Sequence, residues 1–296
     1  MAGTVRPDGR LDGVIAQEAD VRSVTLTVRN LAAERAFYER VVGLVAIETG
    51  EARAVLGAGG RPLVELVEDR GAPPRPPRTT GLFHLAILVP DRGELARSLR
   101  RLIEARWPLQ GAADHLVSEA IYLADPEHNG IEIYRDRPRD EWQRDGEELR
   151  MATLPLDLND VLDEGGDDDD PLGPLPAGTR MGHVHLNVAN LAASEAFYAD
   201  LLGFDVTARG YPGALFLSAG GYHHHIGLNT WRGAGASAPP AGALGLRAYE
   251  LKLPRRSELD EVVARLREGG VEMASGGGGM EVRDPSGNLL HLTAAG

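Results

Sequence analysis

No cysteine occurs among the 296 residues. Disulfides, zinc–thiolate sites, iron–sulfur clusters and thiol nucleophiles are therefore excluded by inventory, and any metal has to sit on His, Asp or Glu. Positive charge is short as well: 31 Lys and Arg against 44 Asp and Glu leave a formal charge of -13. Such a surface repels polyphosphate, so nucleic acid is not an expected partner. Long apolar runs are missing too, since no stretch approaches the ~18 apolar residues of a membrane span. The first residues lack a basic segment followed by an apolar one, so the expectation is a cytoplasmic protein without a membrane partner.

What remains is ordinary globular composition, with 43% apolar and 25% charged residues. The length suits roughly two domains at the usual ~100–200 residues each. Thirty-seven glycines and 19 prolines spread along the chain predict many short elements joined by turns.

Repeats carry the strongest signal. Residues 23–44 read SVTLTVRNLAAERAFYERVVGL and residues 183–204 read HVHLNVANLAASEAFYADLLGF, two copies of one unit. In each, alternating apolar residues (Val24, Leu26 and Val28; Val184, Leu186 and Val188) predict a strand with one buried face. A helix should follow from Leu31 or Leu191, with Asn30 or Asn190 as N-cap and Gly43 or Gly203 as its stop.

The pattern returns more weakly from His84 (HLAILVPDRGELARSLRRLIEA) and from Ala248 (AYELKLPRRSELDEVVARLREGG). Later strands of these units end in DPEHNGIEIY at 125–134 and DPSGNLLHL at 284–292. The chain thus divides into residues 20–135 with units one and two, a connector 136–179, and residues 180–296 with units three and four. The connector is rich in charge, Gly and Pro, and the row Asp167 to Asp170 before Pro171 reads as solvated chain, since consecutive carboxylates lack the spacing of a calcium loop. Trp142, Met151 and Leu154 to Leu158 can still pack on the surface of a half, and no chemistry is assigned to them.

This arrangement resembles the vicinal oxygen chelate superfamily, which includes glyoxalases, bleomycin resistance proteins and extradiol dioxygenases. Its signs here are the helix ends FYERVVG and FYADLLG and the strand entry DPEHNGIEIY. The resemblance implies an α+β fold of four βαβββ modules paired into two open barrels. It leaves the reaction open among isomerases, thiol transferases, drug-binding proteins and ring-cleaving dioxygenases.

Histidines narrow the choice. Of the nine, at 84, 115, 128, 183, 185, 223, 224, 225 and 291, eight fall in units two and three. His84 and His183 hold equivalent places on the first strands of their units (HLAILV and HVHLNV), where units one and four have Ser23 and Ala248. Glu132 lies on the last strand of unit two, where the superfamily places a metal carboxylate. Two imidazoles and one carboxylate form the facial set suited to non-heme Fe(II), with Mn(II) as the alternative ion.

The segments TTGLFHLAIL, ADHLVSEAIY, HNGIEIY and YHHHIGLNTW resemble the Bacillus-type catechol 2,3-dioxygenase branch. That resemblance implies an extradiol enzyme that combines an aromatic diol with O2 to give a 2-hydroxymuconic semialdehyde type product. It gives His115 and Tyr122 contacts to the substrate or oxygen intermediate, and makes His224 the acid–base residue. Without it, Tyr122 reads as strand core, His115 as a loop residue, and the three adjacent histidines as a surface metal patch. Leu217 and Leu228 bracket this stretch as a buried strand, so His223 and His225 should point away from the side His224 faces.

Modules paired in sequence order would separate His84 and Glu132 from His183. Units two and three are therefore expected to form the metal barrel together, with units one and four forming the inert one. Pairing in sequence order would instead leave His183, Glu250 and His291 as the second-best site. The rival functions are a glyoxalase-like metal-dependent lyase or isomerase, and an aromatic-ligand-binding resistance protein. A homo-oligomer is compatible with the sequence.

Overall fold

The computed structural model describes residues 13–165 and 173–295. The aspartate row 167–170 and Pro171 lie outside the described residues. Alternation sets the strands: in Asp20–Val28 the side chains of Val24, Leu26 and Val28 are fully buried. The helix Leu31–Phe37 follows, and Asn30 caps it by accepting from the Ala33 N–H at 3.0 Å. Asn190 caps Leu191–Glu195 in the same way through the Ala193 N–H at 3.0 Å, satisfying a helix-end donor that has no partner within the helix. Both helices continue as π-helical turns, Tyr38–Val42 and Ala196–Leu201. The first stops at Gly43 and the second at Leu202, just before Gly203; the two glycines have φ values of 93° and 91°, which would strain a residue with a side chain.

Four βαβββ units result, opening with Asp20–Val28, Gly81–Leu88, Arg180–Asn187 and Gly245–Leu253. They form two curled sheets. One has eight strands, all from units one and four; the other has nine, from units two and three plus Leu154–Pro155. Asp20–Val28 runs antiparallel to Gly245–Leu253 in the first sheet, and Gly81–Leu88 runs antiparallel to Arg180–Asn187 in the second. The register of the second join sets His185 opposite His84 and His183 opposite Ala86. Pairing therefore joins unit two to unit three and unit one to unit four, as the histidine distribution requires.

Apolar residues from both sheets and the helices merge into one continuous core. Two motifs tie sequential units across the sheets. Tyr38 Oη donates to Asp125 Oδ2 at 3.2 Å and Tyr198 Oη to Asp284 Oδ2 at 3.0 Å. Each carboxylate also accepts from its own asparagine, through the Asn129 backbone N–H at 2.7 Å and Nδ2 at 2.8 Å, or the Asn288 backbone N–H at 2.9 Å and Nδ2 at 2.8 Å. The F-Y and D-P-x-x-N signatures are thus halves of one buried fastening.

The described part of the connector packs on the fold, as its apolar residues Leu154 to Leu158 allow. Leu154–Pro155 pairs with Gly111–Asp114 at the edge of the nine-stranded sheet. Helix Leu158–Glu164 is held against Arg92–Glu104: Arg100 Nη2 donates to the carbonyls of Leu162 and Gly165, both at 2.6 Å. Backbone acceptors met by arginine give this segment a fixed place.

Candidate functional site

On Gly81–Leu88, Leu85 and Ile87 face the core, so alternation turns His84 and Ala86 the other way. On Arg180–Asn187, Val184 and Leu186 face the core, leaving His183 and His185 on that same inner face. Gly130–Asp136 lies parallel to Gly81–Leu88 with Glu132 beside Ala86. Three side chains from two sequence halves thereby meet. Glu132 Oε2 is 2.9 Å from His84 Nε2 and 3.2 Å from His183 Nε2, and the two imidazole nitrogens are 3.3 Å apart.

That near-equilateral triangle tests whether a metal would fit. Three ligand atoms at right angles about one ion, each ~2.0–2.2 Å from it, stand about 3 Å from one another. The observed edges match one face of an octahedron, and the donor set of two imidazoles and a carboxylate suits a divalent transition metal. It is also the one group of three or more metal-capable side chains this close together among the described residues. Burial alone would raise the Glu132 carboxyl, but charge and hydrogen bonds from His183 and His84 outweigh it and hold it well below the usual carboxylate range. Burial pushes His183 down to about 4, so its nitrogen is an available lone pair at neutral pH.

His224 packs on His183. Its ring lies 4.1 Å from that of His183 and 4.9 Å from Phe216, centroid to centroid. Burial, reinforced by the neighbouring His183 and His223, holds it well below 6.5 and therefore neutral. His223 does not point away from it. Its Nδ1 is 2.7 Å from His224 Nδ1, and its Nε2 is 2.9 Å from Asp136 Oδ1. The strand begins only at Ile226, so residues 223–225 escape the alternation expected of them. His225 does turn aside, its Nδ1 accepting from the Ala219 N–H at 3.1 Å. His223 is fully buried and His224 nearly so, which rules out a surface metal patch.

His115 and Tyr122 stand together at the same cavity. His115 Nδ1 is 2.6 Å from the Ala152 carbonyl and its Nε2 is 2.6 Å from Tyr122 Oη. A carbonyl can only accept, so Nδ1 carries a ring proton, and Tyr122 Oη is within hydrogen-bond reach of both His115 Nε2 and Glu132. Burial, then the Glu132 charge, keeps the Tyr122 phenol well above 10 and protonated. Ala152 belongs to the connector, as do Met151 and Thr153 of the cavity wall. Thr153 also hydrogen-bonds Tyr211. The connector therefore orients a site residue, a role its sequence did not suggest.

The cavity holds about 390 Å³, within the range of small-ligand sites. Phe83, Tyr211, Phe216 and Trp231 supply aromatic wall. Residue-level reading missed His185, which is buried with no hydrogen-bond partner at Nε2. Its ring sits 5.0 Å from His84, 5.1 Å from Phe83 and 5.3 Å from Trp231. Gly227, opposite it on the next strand, makes the room: a Cβ there would come within 2.9 Å of His185 Cγ. The period of two in HVH was the available signal, since His185 must share the face of His183.

The alternative set of His183, Glu250 and His291 is not assembled. His183 is in the nine-stranded sheet, whereas Glu250 and His291 are neighbours in the eight-stranded one. There Glu250 accepts from Thr293 Oγ1 at 2.6 Å and from Ser23 Oγ at 3.2 Å.

Fold and site define a class. The Glyoxalase/Bleomycin resistance protein/Dioxygenase superfamily model matches residues 21–133 and 180–292, and the chain belongs to that superfamily. A relative is the catechol-2,3-dioxygenase of Bacillus subtilis (strain 168), 44% identical over 276 residues that make up 92% of this chain and 95% of the relative. Among solved structures, a Bacillus subtilis subsp. subtilis str. 168 protein proposed to be a dioxygenase superposes with a TM-score of 0.67 at 13% identity, covering 95% of this chain and 86% of its own. Glyoxalase I from Zea mays superposes with a TM-score of 0.57 at 15% identity, covering 93% and 92%. At such identities these two likenesses show the fold alone. No described helix is long and apolar enough to cross a membrane.

Proposed function

We propose that the protein is an extradiol dioxygenase that cleaves a catechol ring with O2, giving a 2-hydroxymuconic semialdehyde type product. His84, His183 and Glu132 would hold Fe(II), with Mn(II) as the alternative. When bound, the metal supplies a Lewis-acidic, redox-active centre at which an electron-rich diol and O2 can react despite their spin mismatch. The protein's own part is binding, orientation and proton handling. Aromatic walls take the ring by apolar contact. His224, neutral and beside the ligands, accepts the proton of a phenol hydroxyl at a ring nitrogen. Tyr122, hydrogen-bonded with His115, presents its hydroxyl to the site.

The observation that carries this reading is the juxtaposition, in one cavity, of a facial His–Glu–His set and a neutral His224 that is not part of it. The relative named catechol-2,3-dioxygenase, aligned over 92% of the chain, supports the same reaction. A glyoxalase-like lyase would need the metal and a carboxylate base, but has no use for a separate acid–base imidazole.

The test is anaerobic reconstitution with Fe(II), then addition of catechol and air. Oxygen uptake should accompany a yellow ring-fission product. Fully loaded enzyme that consumes no oxygen with any catechol offered, yet isomerises a hemithioacetal, would overturn the reading in favour of a glyoxalase-type lyase.

A further inference from the structure

The strand that carries Glu132 ends at Asp136, and that residue opens a chain of hydrogen bonds running back to His224. Asp136 Oδ1 receives two donors: Tyr222 Oη at 3.0 Å and His223 Nε2 at 2.9 Å. Tyr134 Oη, 2.7 Å from Tyr222 Oη, donates to the hydroxyl so committed. Beyond His223, the two Nδ1 atoms of His223 and His224 lie 2.7 Å apart.

Inventory of donors and acceptors assigns the protons. An ionised carboxylate only accepts, so His223 Nε2 carries its hydrogen. For the singly protonated His223 ring, Nδ1 then holds the lone pair. Two nitrogens 2.7 Å apart share one hydrogen, which then belongs to His224 Nδ1. His224 is left with an unprotonated Nε2, which no described protein group engages, on a ring that lines the cavity. His223 is locked in place by Tyr222 and Trp142, with centroids at 4.1 and 5.5 Å.

We propose that Asp136 and His223 are positioning residues that fix His224 in the Nδ1–H tautomer and so present its Nε2 lone pair to the substrate. This rests on the reading of His224 as the acid–base group. In the step served, the phenol O–H bond breaks and an Nε2–H bond forms. The electron pair stays on the phenolate oxygen, and the imidazolium remains hydrogen-bonded through His223 to the Asp136 carboxylate. A bound metal is not needed for the tautomer itself, which belongs to the protein alone.

Long-range ¹⁵N–¹H correlation of histidine-labelled, metal-free protein reads the tautomer directly. Wild type should show His224 protonated on Nδ1 and His223 on Nε2. Asp136→Ala and His223→Phe should lose that preference at His224. Asp136→Asn should keep it, because the amide oxygen can still accept from both donors that now share Oδ1. With iron loaded, the two disruptive variants should lose ~10-fold or more in kcat at little change in KM, as for a base that is present but misdirected. Asp136 is a quarter exposed, so its variants remain informative if His223→Phe fails to fold. A wild-type spectrum with the His224 proton on Nε2, or one unchanged in Asp136→Ala, would overturn the proposal even if the enzyme cleaves catechol. The expected spectrum in a protein without dioxygenase activity would uphold the tautomer lock and sink the functional reading instead.

Discussion

Under the proposed function, three of six side chains at the site hold metal and three handle protons, and substitution tests that division. His84→Ala, His183→Ala and Glu132→Ala should each abolish iron retention and turnover, because each removes one of three ligands; metal analysis after desalting checks this. His224→Ala should keep its iron and still bind catechol anaerobically, while the ring-cleavage rate falls by the ~10²–10⁴-fold that a positioned acid or base supplies. Loss of iron from that variant would make His224 a ligand. Equivalent placement on two strands made His84 and His183 legible in the sequence. His185 was equally available by alternation, but unit two has no counterpart two residues after His84 to draw attention to it. The direction of His223 was not legible, because it depends on where Ile226 starts the strand and on Asp136, 87 residues away.

Among the elements, caps, stops and the four-unit order followed from local pattern, since Asn at an N-cap and Gly at positive φ are short-range requirements. Contacts between motifs were not legible. Tyr38 and Asp125 were each visible as a family sign, yet their bond spans 87 residues. The fastening predicts a cost in stability: Asp284→Ala strands the buried donors of Asn288 and Tyr198, which should cost about 1–3 kcal/mol in urea unfolding and leave iron content unchanged. In the equivalent place on unit one, Glu34 is buried beside Asp125 and Glu127. Burial first, then those two charges, pushes its carboxyl up to about 9, and burial brings Asp125 up to about 6. Both folded values lie above the ordinary 4.5 and 3.8, so the folded state holds the extra protons. Their contribution is full at low pH and is lost as pH rises toward about 9. Thermal midpoints of metal-free protein should fall between pH 6 and 9, and Glu34→Gln should flatten the decline. An identical slope in the variant would refute this account of Glu34.

For the molecule as a whole, the decisive arrangement is that units two and three share a sheet, so His84, Glu132 and His183 meet from both sequence halves. The sequence disclosed this through a mismatch: neither half alone owns a full set. It did not disclose the connector's part, because Leu154–Pro155 and Ala152 earn their positions by long-range pairing with unit two. A metal that binds only the folded site stabilises by about 2.7 kcal/mol at a hundredfold excess over Kd. Divalent metal should therefore raise the unfolding midpoint of wild type, and His84→Ala and His183→Ala should each remove the shift despite lying 99 residues apart.

The most direct test of the central claim is turnover of catechol by the Fe(II)-loaded protein under ¹⁸O2, with the product analysed by mass spectrometry and Glu132→Ala run beside it. Both labelled atoms should enter a ring-opened product in wild type, and none should in the variant. Ring opening without label, or undiminished incorporation by Glu132→Ala, would contradict a dioxygenase working at the His84–Glu132–His183 centre.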